Sequence, residues 1–194
     1  FTDDDCRPAA EWVTAMSDAV GPATAAAGPT RNGRPRDVYA AASQAITNHL
    51  VAASLDSATG HVGFAPTSNL ACPAALHRSL PFDEGFPLAA GEDREWCARL
   101  ASSGGVLVFV AHAEVAHHQD LGWRGFWRQQ QRYGRGAYAV HRSAPRGDRL
   151  QGPGFYLGLL RAGFRAGPVA GLLVIVAQAA TAVGLARAAL ADRR

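Results

Sequence analysis

Residues 1–8 read FTDDDCRP and place three neighbouring carboxylates, Asp3, Asp4 and Asp5, near the start of the chain. Because adjacent carboxylates repel one another, a fold that gathers them usually supplies a cation. The alternative is a solvated, fraying terminus, where acidic side chains are harmless. We interpret FTDDD as the end of a strand that runs into a loop, and the remaining sequence favours the cation site.

The composition is that of a folded protein, since 48% of the 194 residues are hydrophobic and 18% are charged. All 19 Lys+Arg residues are Arg, which excludes Schiff-base chemistry and a phosphate-loop lysine. Seven arginines fall between Arg124 and Arg149, against one acid in that stretch, Asp148. Such a stretch suits nucleic acid or an anionic membrane surface. We expect a membrane, and no nucleic acid, as the partner.

The three cysteines, Cys6, Cys72 and Cys97, are widely spaced. They form no CxxC pair and no zinc-binding spacing. We therefore expect reduced and mostly buried thiols.

An uncharged segment of 21 residues, 166–186, lies between Arg165 and Arg187. It is long enough to cross the hydrocarbon core of a bilayer, although its many Ala and Gly residues make insertion marginal. A buried core helix is the alternative, and we favour the membrane.

Local patterns predict several helices and loops in the first hundred residues. Pro8 suits the first turn of a helix that continues through AAEWVTAMSDAV, and the Gly-, Pro- and Arg-rich residues 21–36 indicate a mobile loop. Asp37 is placed to cap the N-terminus of a second helix. Gly91 and Gly104 bound a further helix with an acidic first turn.

Strand signals are shorter and weaker. Residues 61–73 are read as a strand or an extended segment that ends at Pro73. VLVFV, at 106–110, predicts a short buried strand, and AEVAHH after it is read as extended.

Residues 122–142, GWRGFWRQQQRYGRGAYAVHR, predict an amphipathic helix. Arg124, Arg128, Arg132 and Arg135 recur every three or four residues, and aromatic side chains lie largely on the other side. A helix in a membrane interface and an ordinary surface helix that packs Trp into a core both have this pattern.

A second acidic cluster, Glu92 and Asp93, opens the helix after Gly91. The first-turn N–H groups and the helix dipole hold a carboxylate there and keep it ionised. An ionised, fixed carboxylate suits a general base that acts on a hydroxyl. Ordinary helix capping is the alternative.

Together these segments resemble the family-two glycosyltransferases, inverting enzymes with the GT-A fold, over roughly residues 1–140. FTDDDCRP is similar to the DxD motif that the family places at a strand end. SNLACPAALHRSLPFDEGFPLAAGEDREWCARL is similar to the family's Asn-bearing strand, FDE loop and ED helix. QQQRY, at 129–133, is similar to the QxxRW-type motif of membrane-associated members.

The resemblance implies a metal-dependent, inverting transfer of a sugar from a nucleotide-diphospho-sugar to an acceptor hydroxyl. It implies Mn²⁺ or Mg²⁺ as the cofactor, and the apolar C-terminal part suggests a lipid-linked glycan as the acceptor and a membrane-associated enzyme with a cytoplasmic catalytic part. Asp93 would be the catalytic base. Asp3, Asp5 and His117 would be the metal ligands, with His118 as the competing choice for the last.

The resemblance also implies the remaining contacts. The nucleotide-sugar would be bound by Asp3, Asp4, Gln129, Arg132 and Tyr133. The acceptor would be bound by Asn69, Asp83 and Glu92. Turn formation and loop capping are the alternatives for Asn69 and Asp83. The chain departs from the family pattern at Leu80-Pro81, where two Gly are usual, and at Tyr133, where the strictest motif has Trp.

The implied fold class is α/β, a GT-A fold that lacks its N-terminal nucleotide-binding half and continues into C-terminal helices. We therefore expect the C-terminal part of a longer enzyme, inactive by itself. Residues 1–120 would form the GT-A portion, residues 121–149 an interfacial helix and linker, and residues 150–194 a transmembrane helix and tail. The alternative is a non-catalytic, membrane-anchored remnant or partner-dependent half-enzyme that binds a cation or a polyanion.

Overall fold

The structure is a computed structural model that describes residues 1–86, 90–143 and 151–193. The helices are α1 Trp12–Ala19, α2 Val38–Ala53, α3 Ala74–Ser79, α4 Glu92–Ser102, α5 Trp123–Ser143, α6 Pro153–Ala166 and α7 Pro168–Ala191. The strands are β1 Cys6–Pro8, β2 Thr24–Ala27, β3 Thr30–Asn32, β4 Leu55–Asp56, β5 His61–Val62, β6 Leu70–Ala71, β7 Val106–Phe109 and β8 Val115–His117.

The strands form two small sheets. The larger has the order β4-β5-β7-β2-β6, in which β2 and β7 run parallel and the other neighbours are antiparallel. The smaller has the order β1-β8-β3, in which β8 pairs antiparallel with β1 and parallel with β3. The architecture is mixed α/β, as predicted, and its assignment to the GT-A fold remains a prediction.

The predicted mobile loop at residues 21–36 is wrong, because this segment contains β2 and β3. The three alanines of β2 are completely buried between β7 and β6. Alanine has little preference for strands, so the neighbours rather than the local sequence decide this conformation. Gly28, read as a loop residue, lets the backbone pass close to Ala113, where a side chain would overlap the Ala113 carbonyl.

The interpretation of residues 1–8 needs two corrections. The strand follows the acidic cluster instead of preceding it, and Pro8 ends β1 instead of opening a helix, since α1 begins at Trp12. β1 is an edge strand, so no strand pairs with it on one of its two sides. Proline has no backbone N–H and is tolerated at such an edge, where no hydrogen bond to a neighbouring strand is needed.

Helix boundaries follow the predicted signals. The Asp37 carboxylate accepts hydrogen bonds from the backbone of Tyr39 and Ala40, at 2.9 and 3.1 Å, and so caps α2. Gly91 and Gly104, at φ of +96° and +81°, flank α4 in a conformation that favours glycine. The strand and extended segments around 106–110 and 114–118 contain β7 and β8, as predicted.

The C-terminal part is a helical hairpin, because α6 and α7 pack on each other and join at Gly167, whose φ is +142°. The predicted span, residues 166–186, falls mostly within α7. This is the one helix among the described residues that is long and apolar enough to cross a membrane, with a mean hydropathy of 2.1. However, 39% of that window is buried against the rest of the protein.

Helix α5 lies along α7 at close range. A side chain at Gly134 would overlap the carbonyl of Thr181, and one at Gly184 would overlap the carbonyl of Gln131. The predicted linker after α5, with Arg146 and Arg149, lies outside the described residues.

Asn69 forms hydrogen bonds with three segments that are distant from one another in the sequence. Its side chain is fully buried, accepts a 2.8 Å hydrogen bond from the Trp12 indole and donates 2.9 Å bonds to the carbonyls of Pro29 and Ala113. We predicted that Asn69 contacts an acceptor, but both of its polar atoms are engaged within the protein and the side chain has no exposed surface. The structure therefore gives Asn69 a structural role.

We expect Asn69→Ala to lower the free energy of unfolding by about 2–4 kcal/mol, because it leaves buried donors and acceptors without partners. The matched control is Asn48→Ala, since Asn48 is exposed and its side-chain oxygen accepts a hydrogen bond from Gln44. Urea denaturation of both variants measures the difference. Equal stabilities for the two variants would contradict the role of Asn69.

Candidate functional site

The acidic cluster folds into a tight turn between the two sheets. The Cys6 amide donates to the Asp3 carbonyl at 3.1 Å, which closes the turn over Asp3–Cys6. On one side, the Phe1 nitrogen donates to the Leu70 carbonyl at 2.6 Å, which joins the turn to β6. On the other side, Cys6 begins β1 directly opposite His117 of β8. The turn therefore brings Asp3, Asp5, Cys6 and His117 to one place.

The distances in this cluster suit a metal site. His117 Nε2 lies 3.0 Å from Asp5 Oδ1 and 3.9 Å from Asp3 Oδ2. Cys6 Sγ lies 4.0 Å from Asp5 Oδ1. One potential ligand atom from each of the four residues lies within 4.8 Å of the others. This combination of carboxylate oxygens, an imidazole nitrogen and a thiol fits a divalent cation.

The neighbouring histidine is placed differently. The His118 ring packs against Gly33, where a Cβ would lie 2.7 Å from the ring atoms. Its backbone amide donates to the Asp5 carbonyl at 2.8 Å. Of the two histidines considered as a ligand, His117 is the one beside the carboxylates. Asp4 is exposed and lies outside the four-residue cluster.

The electrostatics of the cluster favour a bound cation. Burial raises the pKa of the Asp3 carboxyl, and the charges of Asp5 and Asp4 raise it further, while His117 acts in the opposite direction. Burial likewise raises the pKa of the Cys6 thiol. A cation would offset the repulsion that these shifts express.

Asp93 lies at the start of α4, as predicted, but its ionised form is less stable than a position at a helix N-terminus alone would make it. Burial raises the pKa of Asp93 to about 6, and the charge of Glu92 adds to this effect. A 2.7 Å hydrogen bond from the Arg94 amide to Oδ1 acts in the opposite direction without cancelling it. The hydrogen bond at the helix N-terminus therefore favours the ionised form of Asp93, as expected, but desolvation is the larger effect on its pKa.

Glu92 adds an unsatisfied acceptor next to Asp93. Its Oε2 atom is buried and has no hydrogen-bond partner in the described part of the protein. A buried carboxylate oxygen without a donor is costly, and such atoms in native proteins call for an explanation. A donor from a bound molecule would satisfy it.

Both acidic clusters affect the pKa of Tyr133. Burial of its hydroxyl end raises the pKa of Tyr133 to about 12, the charges of Asp93 and Asp3 raise it further, and Arg132 opposes them. The side chain as a whole is 36% exposed, so one part of the ring faces solvent while the hydroxyl lies among protein atoms. Charges from both acidic clusters therefore contribute to the pKa of Tyr133, although the clusters are some ninety positions apart in the sequence.

Two glycines allow α5 to carry Tyr133 to this place. A side chain at Gly136 would overlap the carbonyl of Ala90, and a Cβ at Gly91 would lie 2.9 Å from the carbonyl oxygen of Gly136. The backbone of α5 thus touches the residues just before Asp93. No larger residue pair would permit this approach without displacing one segment.

Of the other predicted site residues, Gln129 and Asp83 have partners elsewhere, whereas Arg132 interacts with Tyr133. Gln129 is buried, and its Oε1 accepts hydrogen bonds from Ser43 and Gln130 at 2.9 and 3.2 Å. Arg132 is exposed. Asp83 is exposed and accepts a 2.8 Å hydrogen bond from the Gly85 amide, so it forms a local turn. That turn precedes residues 87–89, which lie outside the described residues.

Cys6 is the cluster member that the sequence analysis missed. We expected a reduced and mostly buried thiol, whereas Cys6 is half-buried beside three potential ligands. The signal available in the sequence was its position directly after the acidic triplet. The decisive fact, its pairing opposite His117, depends on a strand more than a hundred positions away.

Comparison with known proteins gives one match. The family described as Glycosyl transferase family group 2 matches residues 2–189, almost the whole chain. No curated protein and no solved structure matches it.

We expect Asp93→Asn to stabilise the protein above pH 7. The folded-state pKa of Asp93 is about 6, above the ordinary value of 3.8 for an aspartate, so ionising Asp93 costs stability above pH 6 and the cost disappears as the pH falls toward 4. The variant should gain roughly 1–3 kcal/mol at pH 8 and nothing near pH 4. Asp18→Asn, at an exposed position, is the control. A gain that does not depend on pH would contradict the assignment of the raised pKa to Asp93.

Proposed function

The chain belongs to the glycosyltransferases of family group 2, and from this premise we propose that it carries catalytic residues for the transfer of a sugar from a nucleoside-diphosphate donor to an acceptor hydroxyl, with inversion at the anomeric carbon. Two observations support the proposal: the cluster of Asp3, Asp5, Cys6 and His117 is suited to a cation, and the buried carboxyl of Asp93 has a pKa raised to about 6, which suits a base. The reaction requires both a cation-binding group and a base.

In this proposal Asp3, Asp5 and His117 hold Mn²⁺ or Mg²⁺. Their potential ligand atoms lie within 4.8 Å of one another, so one ion could contact all three. The cation, when bound, would neutralise charge on the diphosphate leaving group. Asp4, exposed beside the cluster, is then available to the ribose, and the exposed Arg132 guanidinium is suited to a phosphate.

Asp93 acts as the general base. With a pKa of about 6 it is mostly ionised at neutral pH, yet it is a stronger base than an ordinary carboxylate. Its Oδ1 accepts the Arg94 amide, which leaves Oδ2 to take the acceptor proton. The acceptor oxygen then forms its bond to the anomeric carbon while the bond to the diphosphate breaks on the opposite face. A single displacement of this kind inverts the configuration.

Glu92 and Tyr133 position the acceptor and the base. The buried Oε2 of Glu92 has no partner, so an acceptor hydroxyl that donates to it would satisfy it. Tyr133, with a pKa of about 12, stays protonated and can donate a hydrogen bond between the acidic clusters. Asp83 remains a proposed acceptor contact, from its exposed turn.

The C-terminal hairpin suggests where this reaction takes place. Along α7 the exposed side is apolar over nearly its whole length, and α6 adds exposed apolar groups at the turn. The large exposed side chains of the hairpin are Tyr156, Leu157, Phe164, Val169, Leu172, Ile175, Val183, Leu185 and Leu190. Arg161 and Arg165 flank the apolar groups of α6. An apolar face bordered by arginines fits the surface of an anionic membrane.

We propose that this face lies in one leaflet and that α7 does not cross the bilayer. The opposite side of α7 packs on α5 through Gly134 and Gly184. Helix α5 carries five exposed arginines, Arg124, Arg128, Arg132, Arg135 and Arg142. A crossing by α7 with this packing intact would bring charged α5 residues into hydrocarbon, which is costly. Interfacial binding would still place the site near a lipid-linked acceptor.

We expect Asp93→Asn to lower the transfer rate by a factor on the order of 10²–10⁴ while donor binding is retained. Asp5→Ala should lose both transfer and cation-dependent donor binding. Initial rates and donor titrations measure the two effects, with Asp18→Asn as the control. A wild-type rate that does not fall below pH 6, or transfer that survives Asp93→Asn, would exclude Asp93 as the base.

The same assays separate this proposal from the non-catalytic alternative. In a remnant that only binds a cation or a polyanion, Asp5→Ala would weaken cation binding. It would show no cation-dependent turnover of a nucleotide-sugar in any variant.

Leu172→Glu should weaken binding of the full chain to vesicles that contain anionic lipid. The control is Val13→Glu, because Val13 on α1 is 66% exposed, comparable with Leu172 at 59%, but lies outside the hairpin. Vesicle co-sedimentation measures both. Unchanged binding of Leu172→Glu would contradict the hairpin as the membrane contact, and wild-type protein that resists extraction by alkaline carbonate would contradict the interfacial arrangement.

A further inference from the structure

Cys6 faces His117 across two paired strands. The two residues are direct partners in the antiparallel pairing of β1 with β8. Directly opposite residues in such a pair project their side chains from the same face of the sheet. The thiol and the imidazole therefore lie on the side where Asp3 and Asp5 also present their carboxylates, and all four potential ligand atoms lie within 4.8 Å of one another.

The interactions of this thiol are with the turn that carries the acidic cluster, at Thr2, Asp3 and Asp5. Cys6, Cys72 and Cys97 are all free cysteines. The approach of Cys6 Sγ to Asp5 Oδ1, at 4.0 Å, is a weak hydrogen bond at most. The small sheet holds Cys6 at an edge strand, half-buried, instead of in an apolar core.

We propose that Cys6 is a fourth ligand of the cation held by Asp3, Asp5 and His117, and that its thiolate makes the site prefer a borderline ion such as Zn²⁺ or Co²⁺ over Mg²⁺. This inference rests on the cation site of the proposed function. Thiolates bind zinc and cobalt strongly and magnesium poorly, because magnesium requires hard oxygen ligands. On binding, the thiol proton is released to solvent and the sulfur lone pair forms the bond to the ion.

Cobalt reports directly on sulfur coordination, because a thiolate bound to Co²⁺ produces a charge-transfer band in the near ultraviolet. The full wild-type chain titrated with Co²⁺ should develop this band. Cys6→Ser should bind Co²⁺ without it, and Cys72→Ser, the matched control at a half-buried cysteine outside the cluster, should retain it. Circular dichroism and urea denaturation establish that each variant is folded.

Affinities provide a second readout. Cys6→Ser should weaken Zn²⁺ binding at least about tenfold, since even groups that only support a metal ligand are worth 10–100-fold in affinity. Binding of Mn²⁺ should change less than binding of Zn²⁺. In the wild-type chain, Zn²⁺ should slow alkylation of Cys6 but not of Cys72, as followed by peptide mass spectrometry, and this measurement does not depend on a variant.

The outcomes separate the two proposals. Co²⁺ that binds to the wild type without the sulfur band, or equal alkylation of Cys6 with and without Zn²⁺, would overturn Cys6 as a ligand and leave the site formed by the other three residues standing. Co²⁺ binding that is absent, or unchanged by both Asp5→Ala and His117→Ala, would overturn the cation site itself.

Discussion

The close approach of α5 to its neighbours is the constraint on which the rest of the structure depends. Glycines at 134 and 136 let its backbone touch α7 on one side and Ala90 on the other. Because of the second contact, Tyr133 reaches the residues around Asp93. Because of the first, the apolar hairpin is held at a defined place relative to the site. One helix thus joins the candidate chemistry to the candidate membrane surface.

The site concentrates negative charge and offsets little of it within the protein. Burial raises the pKa values of Asp3 and Asp93, and neighbouring carboxylates add to both shifts. Without a ligand, this arrangement lowers the stability of the folded protein, and it favours binding of a cation. Functional sites commonly lower stability in this way. The unpartnered oxygen of Glu92 is a further cost of the same kind. The costs at Glu92 and Asp93 fall on neighbouring residues of one helix turn, while Asn69 satisfies its own polar atoms within the core.

Sequence reasoning was reliable where the signal and its cause lie close together in the chain. The cap at Asp37 and the glycines that flank α4 depend on residues within a few positions, and they are where the sequence predicts them. It was unreliable for β2, where TAAA has no strand pattern and only β6 and β7 make it one. Asn69 shows the same limit, since its three partners come from three distant segments.

By itself, the sequence determined the class of fold, the family and the two acidic motifs, because these depend on residue types and spacings that are visible along the chain. Tertiary structure decided which residues meet. The pairing of β1 with β8 placed His117 and Cys6 beside the carboxylates of Asp3 and Asp5. Burial, which opposed the helix N-terminus, decided the pKa of Asp93. Both effects arise from groups far away in the sequence, and neither strand register nor desolvation can be worked out from local pattern alone.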